Sequence, residues 1–200
     1  MLRKLAFCAV IASVAMLSGC GGKPNDPTEE NYKIGINADL AKRGCLSVNL
    51  IERSQYGNGL AFPVLIDREG KDAEKARLFE AAGLVTLKPE RAKQALQITK
   101  ELHDVYRVEL TELGKQELKN PDFRRFCVCD REVVRIVGST EPIERFGRRL
   151  VHVTFDWKPV NVRDWTKDPK VRELPEVQAN LAGGKNVEVA LKQTGTGWSR

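Results

Sequence analysis

The chain has 200 residues, of which 42% are hydrophobic and 30% are charged, and its mean hydropathy is −0.37. This composition predicts one compact domain or two small ones, and it excludes a disordered chain, a low-complexity repeat and a polytopic membrane protein. The formal net charge of +6 would suit a nucleic-acid partner, provided that the basic residues remain in the mature chain.

The first twenty residues have the three-part layout of a secretory signal peptide. A basic start at residues 1–4 precedes an apolar run at residues 5–16, and small residues follow before Cys20. The motif Leu17-Ser18-Gly19-Cys20 closely resembles the lipobox of bacterial lipoproteins. The resemblance implies that residues 1–19 are cleaved and that Cys20 is lipidated, carrying a diacylglycerol on its thiol and an acyl chain such as palmitate on its new amino terminus.

Lipidation at Cys20 would anchor the protein durably, because each buried CH₂ contributes ~0.8 kcal/mol and two or three chains act together. Gly21 stands where an Asp would resemble an inner-membrane retention signal, so the resemblance implies the outer membrane, with the protein facing the periplasm. Loss of residues 1–19 leaves 31 basic and 27 acidic residues, a net charge of +4. We therefore expect no nucleic-acid partner, because the periplasm holds none and the remaining charge is modest.

Residues 21–31 contain two Gly, two Pro and no apolar side chain. This composition predicts a flexible tether over residues 20–31, able to reach roughly 36 Å when extended. The periplasmic domain is then expected to occupy residues 32–200, and a sub-boundary near residue 120 is left open.

The N-terminal half of the domain shows several helical patterns. Asn37 and Gly44 suit the two ends of a short helix, Asp72 can cap a helix over residues 73–82, and residues 89–102 have helical apolar spacing. A strand over residues 105–110 leads to Thr111, which can cap the helix that follows. Together with Gly83-Leu84-Val85, this seam resembles that of winged-helix domains, and the resemblance implies a helical, partly winged-helix-like N-terminal half.

The last third has strand patterns. Val151, Val153, Phe155 and Trp157 alternate with His152, Thr154, Asp156 and Lys158, and residues 186–192 repeat the alternation. Residues 126–137 alternate less regularly, which suits a strand with a bulge or a strand buried on both faces. The predicted fold class is therefore α+β, with the helical half packed against a C-terminal antiparallel sheet that has one solvated face.

The C-terminal region also carries a second resemblance. The cysteine-containing strand, the turn Thr140-Glu141-Pro142, the strand at residues 151–155, Trp165 and the late Gly197-Trp198 resemble a recurring pattern in uncharacterised bacterial envelope proteins. That resemblance implies an α+β fold and an envelope location, and it supplies no catalytic residue.

Three cysteines remain once Cys8 is cleaved off and Cys20 is lipidated: Cys45, Cys127 and Cys129. An oxidising compartment favours one disulfide and one leftover thiol. Because residues 127 and 129 share one face of a strand, either can meet Cys45. We favour Cys45 with Cys127, which would contribute ~3 to 4 kcal/mol in the chain-entropy model, and keep Cys129 as the alternative partner.

Motifs for metal binding or catalysis are missing from the sequence. Cys127 and Cys129 would need two further metal ligands, and the only histidines, His103 and His152, lie in no metal-binding motif. No nucleophile motif or phosphate-binding loop occurs either. We therefore expect no metal, no cofactor and no enzymatic activity.

The polar strip of His152, Thr154 and Asp156, with Arg148 and Arg149, is the candidate binding face. Seven arginines lie within one stretch of 26 residues, and three or four of them on one face would suit lipopolysaccharide phosphates, peptidoglycan carboxylates or an acidic protein. They are Arg124, Arg125, Arg131, Arg135, Arg145, Arg148 and Arg149. Interleaved acidic residues favour ion pairing within the sheet instead.

These patterns predict a non-enzymatic, lipid-anchored envelope protein whose domain binds another envelope component or protein. One alternative is an immunity lipoprotein that neutralises a toxin delivered to the periplasm. A second is an envelope hydrolase or modifying enzyme that uses the His152 face as a general-base or ligand-contacting surface.

Overall fold

The computed structural model describes residues 23–51, 62–93, 101–120, 124–145 and 147–200. The helices of this part of the chain are α1 (Glu29–Arg43), α2 (Lys71–Ala81), α3 (Glu112–Glu117), α4 (Pro169–Arg172) and α5 (Pro175–Leu181), with a 3₁₀ turn at Asp164–Lys167. The strands are β1 (Leu46–Asn49), β2 (Val64–Asp67), β3 (Val85–Ala92), β4 (His103–Leu110), β5 (Leu118–Asn120), β6 (Arg125–Ser139), β7 (Ile143–Arg145), β8 (Arg148–Val160), β9 (Gly184–Thr194) and β10 (Gly197–Ser199).

A large antiparallel sheet curls around α1. Its strand order is β1-β6-β8-β9-β10, with β5 paired to β6 and β7 paired to β8. Helix α1 packs against both β6 and β10, so it lies in the concave side of the sheet. Tyr32, Ile36 and Leu40, spaced four residues apart on α1, are buried against Val133, Val151, Val153, Phe155, Val189, Leu191 and Trp198.

A second core lies under a smaller sheet. Strands β2, β4 and β3 form this sheet in that order, and α2, α4 and α5 contribute to the core beneath it. Its centre is aromatic, because Phe79 makes edge contacts with Phe126 and Trp165 at centroid distances of 5.5 and 5.6 Å. Strand β6 joins the two cores, since Phe126 belongs to this one and Val133 to the core around α1.

The expected helical, winged-helix-like N-terminal half is wrong, and the described structure is mostly β. Residues 89–92, expected to be helical, belong to β3, which pairs with β4 from Val85↔Leu110 to Ala92↔His103. Eight residues of antiparallel ladder outweigh the local helical spacing, because sheet formation depends on a partner strand that the local pattern does not contain. Residues 94–100 of the expected helix lie outside the described residues.

The local seam around Thr111 is confirmed. Its hydroxyl accepts a hydrogen bond from the Gly114 N–H at 3.0 Å, so Thr111 caps α3 as the sequence predicts. The same hydroxyl donates to the Gly83 carbonyl at 2.6 Å. Thr111 therefore links the start of α3 to the turn after α2, in a domain that does not have a winged-helix fold.

Helix α1 begins earlier than the sequence predicts. Thr28, not Asn37, is its N-cap, and Asn37 instead accepts a hydrogen bond from the Val133 N–H of β6. Gly44 ends the helix, as expected, with a φ of 67°. Helical structure from Glu29 onwards means that the last part of the expected tether lies in the domain.

The three C-terminal strand predictions are confirmed as β6, β8 and β9. The irregular alternation of β6 also has the predicted physical basis. Its pairing with β8 shifts register between Val133 and Arg135 and again between Ile136 and Gly138.

Candidate functional site

Asp156, part of the predicted polar strip, is a structural residue. Its carboxylate lies 2.7 Å from Arg135 Nε and accepts a hydrogen bond from the Asn186 N–H at 2.9 Å. The Asn186 hydrogen bond, followed by the Arg135 hydrogen bond, lowers the pKa of Asp156. The side chain thus ties β6, β8 and the start of β9 together as an ionised carboxylate.

His152 lies on the outer face of β8, exposed to solvent, because Val151 and Val153 on either side point into the core. Three residues of extended strand separate His152 from Asp156, and the four residue steps between them span about 13 Å along the chain. Its backbone N–H donates to Thr140 Oγ1, and its carbonyl accepts from the Thr140 N–H. The structure therefore does not bring His152 and Asp156 together as an acid–base pair.

Arg148 and Arg149, predicted to belong to one face, lie on opposite faces of β8. Residues directly opposite in an antiparallel ladder share a face, and the register pairs Arg145 with Arg148 and Glu144 with Arg149. Arg149 is on the side of Val151, toward α1, where its charge acts on Tyr32. Arg148 is on the outer side, with His152.

The seven clustered arginines do not form one patch. Arg124 is buried, Arg125 donates to Asn49 Oδ1, and Arg135 pairs with Asp156. Arg131 lines a small cavity of about 80 Å³ at the far end of α1. Arg145, Arg148 and Arg149 belong to the β7–β8 hairpin, beside the candidate binding face.

These hairpin residues define a basic outer face. Arg145 and Arg148 are exposed and directly opposite each other, and Lys192 of β9 is opposite Leu150 of β8. Ile143, which is 51% exposed, is next to them on the same face. We call the set Ile143, Arg145, Arg148, Leu150, His152 and Lys192 the hairpin face. The hairpin face combines cationic side chains with an exposed apolar one.

A cleft of about 870 Å³ lies between α1 and the β9–β10 hairpin. Ile34 and Lys42 line its helix side, and Lys192, Thr196 and Ser199 line its sheet side. Sequence reasoning missed this cleft, because its two sides come from the first helix and the last hairpin of the domain, which no local pattern connects. Charged side chains of both signs line it.

Tyr106 forms a second cluster that the sequence did not reveal. The guanidinium carbons of Arg68 and Arg77 lie 5.3 and 5.6 Å from its ring centroid. Hydrogen bonds from Arg77 and then from Arg68 lower the pKa of Tyr106. These side chains come from β2, α2 and β4 and border a groove of about 690 Å³, so no local motif contains them.

The disulfide Cys45–Cys127 is present, as favoured from the sequence, and the Cys129 alternative is wrong. Cys129 is a buried free thiol, 3.5 Å from the Asn180 carbonyl oxygen. Burial raises the pKa of Cys129 to about 11. Cys20, the predicted lipidation site, lies outside the described residues.

Among the described residues, no group of three His, Cys, Asp or Glu side chains is placed to hold a metal ion. Within the same residues, no helix is long and apolar enough to cross a membrane. The chain matches no protein-family model, no curated protein and no solved structure.

Proposed function

We propose that this chain is an envelope lipoprotein attached to the outer membrane through Cys20, with a periplasmic domain that binds an anionic envelope component without catalysis. The signal peptide and lipobox of residues 1–20 support the attachment. The hairpin face supports the binding.

The opposition of Arg145 and Arg148 carries the proposal. Both side chains are exposed and directly opposite each other in the ladder, so a single anion can contact the two of them. Guanidinium groups also match phosphate and carboxylate oxygens in geometry and charge.

Catalysis at the polar strip has weaker support. A hydrolase would need His152 to work with a carboxylate or a nucleophile, and Asp156 is already engaged by Arg135 and Asn186. Recognition needs only exposed groups on a rigid element, and β8 supplies these between two partner strands.

The attachment is tested by growing cells that express the full chain with labelled palmitate. We expect the label on the parent chain and its loss in a Cys20→Ser variant, which should also leave the membrane fraction. A parent chain without label would refute the attachment.

The binding is tested by chemical crosslinking of the full chain in intact envelopes. We expect the double variant Arg145→Gln/Arg148→Gln to lose the captured component. A matched control, Lys170→Gln/Arg172→Gln, removes two exposed cations from α4 and should retain it. Capture of an acidic protein would point to the immunity alternative, and equal capture by all three chains would argue against the hairpin face.

A further inference from the structure

The first described residues are fixed to one end of the curled sheet. The Asn25 carbonyl accepts a hydrogen bond from the Gln193 side chain at 2.9 Å, and the Asp26 carbonyl accepts one from Trp198 Nε1 at 3.2 Å. Both donors lie beside the turn that joins β9 to β10. The N-terminal segment is therefore held at the end of the sheet that carries this turn.

Only three peptide units separate Cys20 from Lys23 in the sequence. An extended chain advances at most 3.6 Å per residue, so the two Cα atoms lie no more than about 11 Å apart. The tether expected from composition, with a reach of roughly 36 Å, is thus much shorter in effect. If acyl chains on Cys20 enter a bilayer, the β9–β10 end of the sheet lies at the bilayer surface.

The hairpin face lies at that same end. Because β8 and β9 are antiparallel and Leu150 is opposite Lys192, the end of the β7–β8 hairpin that carries Arg145 and Arg148 is next to the β9–β10 turn at residues 195–196. Arg145 and Arg148 flank the β7–β8 turn directly. The hairpin face therefore lies at the same end of the sheet as residues 25 and 26.

Charges near this end are mixed, and their positions decide which side meets an anionic surface. Glu29 and Glu30 lie in the first turn of α1, and Glu144 lies on the inner side of the hairpin with Arg149. Glu141, which is exposed and precedes β7, also acts at this end, because its charge reaches Tyr32 on the inner side. On the outer side of the β8–β9 ladder, the acidic residue nearest to the Leu150–Lys192 pair is Glu188. Glu188 is opposite Thr154, four residues along β8 from Leu150. The outer side is thus the cationic one.

We infer that the hairpin face docks on the anionic phospholipid headgroups of the membrane to which Cys20 attaches the chain. This inference rests on the proposed attachment and names the anionic component as the lipid surface itself. Arg145 and Arg148 contact headgroup phosphates, and exposed Ile143 enters the interfacial layer between them. Acyl chains and a cationic hairpin together form a two-signal anchor and fix the orientation of the domain.

The test uses the chain from residue 20 onward with Cys20→Ser, which keeps both cores because Tyr32 is the first residue of either core. Its partitioning is measured on vesicles of phosphatidylcholine with and without phosphatidylglycerol, at low and high salt. We expect binding only to the mixed vesicles at low salt, and a loss of about 30-fold in Arg145→Gln/Arg148→Gln. Circular dichroism and the urea midpoint verify that the variants are folded.

The inference is overturned if the parent chain binds both vesicle types equally, if Arg145→Gln/Arg148→Gln binds as the parent does, or if Lys170→Gln/Arg172→Gln loses as much binding. Binding of inorganic phosphate by a chain that binds no vesicle would also overturn the inference, because the site would then select a free anion. The palmitate experiment reports separately on the attachment. Failure of labelling with intact vesicle binding refutes the anchor alone, and the reverse result refutes the docking alone.

Discussion

Gly35 of α1 lies directly against the backbone of Trp198 in β10, so that a Cβ at position 35 would overlap the Trp198 carbonyl oxygen. Alanine normally stabilises a helix interior by ~1 kcal/mol relative to glycine. Here the sign should reverse, because α1 and β10 would have to separate and the Tyr32–Trp198 ring contact at 5.2 Å would be lost. Trp198 also donates a hydrogen bond to the Asp26 carbonyl, so the attachment of the N-terminal segment to β10 depends on the same close approach.

We expect Gly35→Ala to lower the free energy of unfolding by ~2 to 4 kcal/mol, as overpacking of a tight contact does. Urea denaturation followed by circular dichroism measures the change. Gly138→Ala is the matched control, because no atom lies within 4 Å of the added Cβ in β6. A Gly35→Ala chain as stable as the Gly138→Ala chain would contradict the packing of α1 on β10.

The Cys45–Cys127 disulfide links residues 82 positions apart in sequence and joins the start of β1 to β6. In the chain-entropy model a loop of this length contributes about 4 kcal/mol, chiefly by restricting the unfolded chain. The double variant Cys45→Ala/Cys127→Ala should therefore lose about that much stability to urea. Cys129→Ala, which removes a thiol without opening the loop, should cost clearly less, and equal costs would argue against the bridge.

The strands of the C-terminal sheet were predictable because their information is local. Alternation of apolar and polar residues around Val151 and Val153 indicates a strand buried on one face. The less regular alternation of β6 matches the register shifts in its pairing with β8. The capping of α3 by Thr111 was predictable for the same reason, since donor and acceptor are three residues apart.

The winged-helix expectation failed where the deciding contact is distant in sequence. Strand β3 is a strand because β4 pairs with it, and α1 reaches back to Glu29 because Tyr32 and Ile36 have a sheet to pack against. The site shows the same limit. The opposition of Arg145 and Arg148 depends on the register of the hairpin, and a shift of one residue would place them on different faces.

Cys129 should be chemically inert in the folded protein. Burial raises the pKa of its thiol to about 11, whereas an unfolded cysteine titrates near 8.5 and only the thiolate reacts. At pH 8.5 we expect iodoacetamide to modify Cys129 only after denaturant is added, with mass spectrometry as the readout. Rapid modification in native buffer would contradict the burial of this side chain.

Tyr106 and Tyr32 should titrate at opposite ends of the tyrosine range. Hydrogen bonds from Arg77 and then Arg68 lower the pKa of Tyr106, whereas burial raises the pKa of Tyr32. As pH rises, the ultraviolet absorbance of phenolate should therefore appear first at Tyr106 and last at Tyr32, with Tyr→Phe variants assigning each step.

Arg77→Gln provides the test of cause for Tyr106. Removing this cation takes away the largest interaction that favours the phenolate, so the pKa of Tyr106 should rise toward its ordinary value while the pKa of Tyr32 is unchanged. Arg172→Gln, an equal loss of charge on α4, should shift neither step. If the pKa of Tyr106 is the same in Arg77→Gln as in the parent, the Arg77 guanidinium does not hydrogen-bond to the phenol oxygen, which would contradict the described cluster.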